Sequence, residues 1–410
     1  MYKRFLLFAF IPVLLLSCNK NVLKKNIDPG VVNFKVSYDE NLDNVMYPSM
    51  MLALANYHGN DEPSFFSVSV TAPKNNSVMR IVVDSTNLNF VSITQESLPK
   101  KGMTYTFKPV IKWKYDNLYR LRQPGYVDFT FTCFVNDEEV DVKNIRLSYR
   151  PINECLLSLV NNDGTYNDYR WLFAAFVNED HPKIDNILGE ILGQGMVTTF
   201  EGMTSEKKID NQMRAIWYYA LRRGMAYSSI ANTSNSSRPA NSQYIRFFDD
   251  VYNNRQANCI DACVFFSSIM RKIGLSPIII LEPSHAYLGY YTDKNKKKIA
   301  LLETTLSGWV NLPELDRHFD ADSNRLDETA FNSISQFLTE KQKTECLEGR
   351  MSLEDIKKAV SNNLFDKAAE YRKESFKKNK KLYDDENDSG YQMLVIDELR
   401  KQIAPIPAVD

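Results

Sequence analysis

What this chain has little of already limits what it can be. Its formal net charge is −1, with 50 Lys and Arg against 51 Asp and Glu, so no excess of positive charge points to a nucleic-acid partner. Histidine is scarce, four in 410 residues, which leaves few side chains able to carry a proton near neutral pH. Cysteine is sparse too: six residues at irregular spacing exclude the dense, regular disulfide framework of small secreted domains. No internal repeat is visible, and no second apolar run is long enough to span a bilayer. What remains is the composition of a folded protein, 44% apolar and 25% charged, of a length that calls for two or three domains. Its 22 Tyr and 23 Phe suit strand-rich packing and binding clefts.

The N-terminus reads as an export segment. Lys3 and Arg4 precede an apolar run from Phe5 to Leu16, followed by Ser17 and Cys18. About 12 apolar residues are too few to cross a membrane comfortably. Leu15-Leu16-Ser17-Cys18 resembles the bacterial lipoprotein signal, in which the cysteine is acylated and becomes the new N-terminus. That resemblance implies a signal peptide over 1–18, lipidation at Cys18 and a polar tether over 19–30. It also implies attachment to the bacterial cell envelope, at the outer membrane of a Gram-negative cell because Asn19 rather than Asp follows the cysteine. An odd set then remains, Cys133, Cys155, Cys259, Cys263 and Cys346, so at least one thiol stays free or pairs between molecules.

Residues 31–150 carry a period of two. Val32–Val36, Phe66–Val70, Met79–Val83, Thr104–Lys108, Val110–Tyr115, Asp128–Thr132 and Ile145–Tyr149 predict strands separated by turn clusters. Strands of this number and spacing predict an all-β sandwich of immunoglobulin-like type, a spacer or binding module without chemistry of its own. After Pro151 the period lengthens. Leu156–Val160, Trp171–Val177 and Ile184–Leu192 look helical, and Ile209, Met213, Ile216, Trp217, Ala220 and Leu221 share one helical face closed by Gly224. Trp217 is expected in the core. A Ser/Asn-rich loop, 228–242, reads as exposed and close to a cleft. From residue 322 to 410 the chain is charged and helical, and the lysines of 373–381 are expected on a solvated face.

The chemistry gathers between Gln256 and Thr305. Asn258 is a good N-cap for a helix carrying Ala262, Cys263, Phe266, Met270 and Ile273 and stopped by Gly274. Cys259 then falls in the first turn, where unpaired N–H groups and the positive end of the helix dipole favour thiolate over thiol. Cys263 points inward and reads as a small hydrophobe. A β-branched strand, Ser276–Leu281, follows, and then a pair of strands, Ala286–Tyr291 and Ile299–Thr304, joined through a polar turn at Thr292–Lys298. A tight two-residue hairpin would place His285, at the start of the first, opposite Glu303 on the second, with Cβ atoms about 5 Å apart. Glu303 could then orient the imidazole while its other nitrogen addresses Cys259. His58, His181 and His318 show no comparable partner pattern in the sequence. Gln256, just before the nucleophile, is a candidate oxyanion donor or a plain turn residue. A zinc site is not expected, because two cysteines four apart within a helix lack the usual knuckle spacing.

Asn258-Cys259-Ile260-Asp261-Ala262 with Arg271-Lys272-Ile273-Gly274, then Ser284-His285-Ala286-Tyr287, then Leu302-Glu303-Thr304-Thr305, resemble the three ordered motifs of the transglutaminase-like, papain-type superfamily. Glu303 stands where that family normally has Asp, and Cys263 where a small Ala is common. The resemblance implies an α+β core over 151–321, a helix packed on an antiparallel sheet, preceded by the β-sandwich and followed by a helical extension. It implies Cys259 as nucleophile, His285 as general base and Glu303 as orienting acid, with no metal and no cofactor. The activity it implies is amide hydrolysis or acyl transfer on peptide or isopeptide bonds, hydrolysis being favoured because no amine-binding feature is apparent. The alternative is a non-catalytic envelope lipoprotein that keeps the fold for binding or scaffolding.

Overall fold

A computed structural model describes residues 27–54, 65–161, 164–228, 240–385 and 390–407. Cys18 with the export segment, His58 and most of the Ser/Asn-rich loop lie outside the described residues. The fold is mixed α and β, with mainly antiparallel sheets and a helical C-terminal region.

In the first half, two sheets face each other. One has three strands, with Phe66–Thr71 flanked by Lys35–Tyr38 and Thr104–Phe107. The other has five, running from Val45–Met46 through Glu138–Tyr149, Gly125–Val135 and Ser77–Val83 to Ser92–Leu98 at the far edge. Alternation drives the packing, since Phe129, Phe131, Cys133 and Val135 all point inward. Phe66 meets Phe129 and Phe131 across the gap, with ring centroids 5.0 and 5.1 Å apart. Three expectations change here. The stretch expected as strand from Val32 begins as a helical turn, Pro29–Val32, capped by Asp28. Val110–Tyr115 forms only the Asn89–Trp113 bridge before a helix at Tyr115–Tyr119. The edge strand Ser92–Leu98 is new, and its mostly exposed residues explain why alternation did not reveal it. Ile27 is buried, so residues 27–30 belong to the fold rather than to a tether.

The second half centres on the helix Cys259–Lys272, buried from Ile260 to Met270. It packs on one face of a four-stranded antiparallel sheet ordered Ile299–Leu302, His285–Tyr291, Pro277–Glu282, Gln392–Val395. On the opposite face Ile278, Ile280, Tyr287 and Leu301 pack against Phe376 and Tyr383 of the C-terminal helix Lys373–Tyr383. Trp217, on Glu206–Arg222, is a core residue as expected, between Phe266 and Phe365 at 6.0 and 6.1 Å.

Two expectations fail in this half. Leu156–Val160 is not helical but belongs to the strand Glu154–Val160, paired with Ala240–Tyr244 and Tyr166–Asp168. Periodicity cannot tell a short apolar run in a strand from one in a helix. The C-terminal region is not purely a helical extension either. Gln392–Val395 is the fourth strand of the central sheet, and Ile403 and Ile406 return to the core, with Ile406 N donating to Ala175 O at 2.7 Å. The junction near residue 150 is likewise packed: Arg150 N donates to Met46 O and Ile152 N to Leu121 O.

Candidate active site

The helix that carries Cys259 is fixed by its own first turn. Asn258 Oδ1 accepts from Asp261 N at 2.9 Å, and Asp261 Oδ2 accepts from Asn258 N at 3.1 Å, a reciprocal capping box. Burial pushes the Asp261 carboxyl up, and Arg246 opposes this by donating from Nη1 at 2.7 Å and from its backbone N at 2.9 Å. Asp261 in the motif therefore builds the helix start that presents Cys259. All five described cysteines are free, and Cys259 alone among them is partly exposed. Cys263, one turn later, is fully buried with its sulfur 3.9 Å from Thr304 Oγ1, and burial drives its thiol well up.

His285 opens its strand directly after the turn Pro283-Ser284, in which Ser284 takes a left-handed φ of 63°. That two-residue connection pairs Glu282 with His285. The next hairpin is wider than the two-residue turn expected. Thr292 N bonds to Lys298 O, and Asp293 Oδ1 accepts from Lys297 N and Lys298 N, so the side chain of Asp293 organises a longer loop. The ladder pairs Leu288 with Leu302 and Tyr291 with Ile299. Extended by one residue, that register sets Glu303 level with Tyr287, two residues from the expected position. A shift of two preserves the face of the sheet. The strand also ends at Leu302, and Glu303 turns out of it to cap the short helix Thr304–Trp309. The pair forms nonetheless, with His285 Nε2 2.9 Å from Glu303 Oε2.

Glu303 is fully buried, and both its oxygens are satisfied. Oε1 accepts from Thr305 N at 3.2 Å and Thr305 Oγ1 at 2.7 Å. Oε2 accepts from His285 and, at 2.6 Å, from Arg372 Nε. Burial would raise this carboxyl, but the hydrogen bonds and charges of His285, Thr305 and Arg372 hold it down at about 2. For His285, burial disfavours the charged ring, yet hydrogen bonds and charges from Cys259 and Glu303 outweigh it and push the imidazole up to about 9. With Nε2 on Glu303, Nδ1 is the ring atom left for Cys259. Cys259, His285 and Glu303 are thus brought together.

Gln256 does not join them by any side-chain hydrogen bond among the described residues. It is exposed on the short strand Gln256–Ala257. Of three further groups at the site, Thr305 closes the third motif, while Tyr227 and Arg372 carry no signal in the sequence pattern. Thr305 is local to Glu303. Tyr227, about half exposed, lies close enough to Cys259 and Glu303 for their charges to add to burial in raising its hydroxyl. Its backbone reaches the site because residue 308 is glycine: a Cβ there would lie 2.7 Å from Tyr227 N. Arg372 arrives from 69 residues away.

The other described histidines do have carboxylate partners, contrary to expectation. His181 Nε2 is 3.0 Å from Asp249 Oδ2, and His318 Nδ1 is 2.7 Å from Asp327 Oδ2. His181 Nδ1 is occupied by Lys183 N at 3.2 Å. A cavity beside His181, lined also by Tyr119, Arg122, Phe176 and Phe247, has a free volume of about 30 Å³, the share of one water. Among the described residues no cluster of His, Cys, Asp and Glu has the form of a metal site. No helix among them is long and apolar enough to cross a membrane.

Set against known proteins, the chain matches no protein-family model and no curated sequence.

Proposed function

We propose that this chain is a cell-envelope lipoprotein whose second half is a transglutaminase-like cysteine enzyme, hydrolysing peptide or isopeptide amides or transferring their acyl group. The observation that carries the reading is a partly exposed cysteine at a capped helix start, beside an imidazole whose Nε2 is fixed by a buried, ionised carboxylate. A helix laid across an antiparallel sheet, with the three groups at its mouth, supports a papain-type core. The two facing sheets of the first half support an immunoglobulin-like spacer.

In this reading the Cys259 thiol gives its proton to His285 and Sγ attacks the amide carbonyl carbon, so that a C–S bond forms as the carbonyl oxygen takes the negative charge. With its pKa near 9, His285 carries a proton at neutral pH and delivers it to the amine nitrogen as the C–N bond breaks. Water, or an acceptor amine, then attacks the thioester. His285 takes the incoming proton and returns it to Sγ as the C–S bond breaks, which restores the thiol. Glu303 keeps the ring in one orientation and stabilises its charge throughout. Backbone N–H groups at the helix start would hold the oxyanion.

Limited iodoacetamide labelling followed by peptide mapping tests this. Cys259 should label ahead of the four buried thiols by at least about 100-fold, and Cys259→Ala should remove amide hydrolysis measured on a mixed peptide pool. Even labelling of all thiols, or full complementation of a deletion strain by Cys259→Ala, would favour the scaffolding reading instead.

A further inference from the structure

We infer that Arg372, delivered by the C-terminal helices, is a positioning residue for the His285–Glu303 pair, so that these helices are part of the machinery rather than an appendage. The inference rests on the active-site reading above and deepens it.

Periodicity places Arg372 on the face of one long helix, with Phe365 and Phe376. Instead the helix ends at Tyr371, a second runs over Lys373–Tyr383, and Arg372 is the junction residue between them. From that junction its side chain reaches the catalytic hairpin, one turn beyond Ala368. Nε donates to Glu303 Oε2 at 2.6 Å, while Nη1 lies 3.8 Å from Glu282 Oε2. These are the carboxylates at the two ends of the hairpin arrangement, because Glu282 is the register partner of His285 and Glu303 its hydrogen-bond partner. The guanidinium also lies 5.4 Å from the ring centre of Tyr287, which stacks on His285 at 6.2 Å. One planar fork therefore touches the acid, the strand behind the imidazole and the ring beside it.

The same helix junction is tied down around Glu282. Tyr383 Oη donates to Glu282 Oε1 at 2.8 Å, Tyr287 Oη at 3.1 Å and Ser375 Oγ at 3.2 Å. From the chain's preceding residues, Ala368 O accepts from Glu303 N at 3.0 Å. The C-terminal helices thus hold Glu303 by both backbone and side chain. The physical need is clear. A fully buried carboxylate whose only charged partner is a histidine would lose that partner's charge whenever the imidazole gives up its proton. Arg372 supplies a charge that does not titrate, so Glu303 stays ionised and in place while His285 cycles.

The test reads His285 directly. The titratable and charged groups facing the pair are Cys259 and Cys263 from the central helix, Tyr227, Glu282 and Tyr287, and Arg372. With only four histidines in the chain, 15N-histidine NMR resolves the His285 ring, and its titration can be followed in the full protein alongside the pH profile of Cys259 alkylation. Arg372→Gln removes a nearby positive charge, and the His285 midpoint should rise by about one unit, with alkylation slowed several-fold at neutral pH. Lys378→Gln removes a positive charge from an exposed position on the same helix, away from Glu303 and Glu282, and should leave the midpoint unmoved. Arg372→Lys keeps the charge but cannot span both carboxylates. Its midpoint should stay near wild type while alkylation falls, and this variant carries the test if Arg372→Gln does not fold. Wild-type titration and alkylation in a folded Arg372→Gln, or wild-type alkylation in Arg372→Lys, would overturn the inference. Selective labelling of Cys259 in the parent protein keeps that failure separate from failure of the active-site reading.

Discussion

His285 and His181 each point Nε2 at a carboxylate oxygen, 2.9 Å from Glu303 and 3.0 Å from Asp249. Compared by that contact alone, the two regions look equivalent. They differ in what surrounds the pair. Asp249 is one-third exposed and shared with Lys183, and the far nitrogen of His181 already accepts a backbone N–H. Glu303 is fully buried between Thr305 and Arg372, and the other side of His285 meets a thiol. A histidine–acid pair is a common structural clasp. It becomes a candidate proton relay where the second ring nitrogen is left for a nucleophile and the acid cannot be hydrated or neutralised.

The sharpest way to break the comparison is to remove each ring. His285→Ala should slow alkylation of Cys259 by about 100-fold or more. His181→Ala should leave that rate within about two-fold while lowering unfolding stability by about 2 kcal/mol in a denaturant titration, through lost packing on Phe248 and a lost hydrogen bond. Similar rates in both variants would make His285 another clasp.

Exchanging the acids gives a smaller contrast. Glu303→Gln should reduce alkylation about ten-fold and cost about 3 kcal/mol, because Arg372 loses its charged partner in a dry setting. Asp249→Asn, at a partly exposed pair, should cost under about 1 kcal/mol and leave Cys259 as reactive as before. The broadest contrast, spread over many pH units, is in pH-dependent stability. The folded pKa of His285, about 9, lies above its ordinary 6.5, so its contribution is complete below about pH 6.5 and is lost as pH rises through 9. Glu303 is depressed from 4.5 to about 2, so its contribution is present above pH 4.5 and is lost as pH falls through 2. Urea midpoints across pH 2–10 should fall at both ends. Glu303→Gln should flatten both slopes, whereas Asp249→Asn should leave the alkaline one intact.

Much of the site was legible in the residues, for reasons that are local. Asn258, Cys259 and Asp261 lie within four positions, so one capping box fixes the nucleophile whatever surrounds it. His285 opens one strand and Glu303 directly follows its antiparallel neighbour, so the pair forms despite an error of two in the register. The strands 66–71, 77–83 and 125–135 were plain because one side of each is buried and the other wet. Glu154–Val160 was misread because its pattern of burial has no clean period of either kind.

By itself, then, the order of residues determined the nucleophile's helix, the three strands that follow it and the alternating strands of the first half, since each depends on contacts between near neighbours. Tertiary structure alone decided the rest. It brought Arg372 onto Glu303 from 69 residues away, drew Gln392–Val395 into the sheet as its outer strand, and separated the imidazole beside a thiol from the one clasped by Lys183 N. Those outcomes depend on packing between distant segments, and chain closure over such distances leaves no period in the sequence to read.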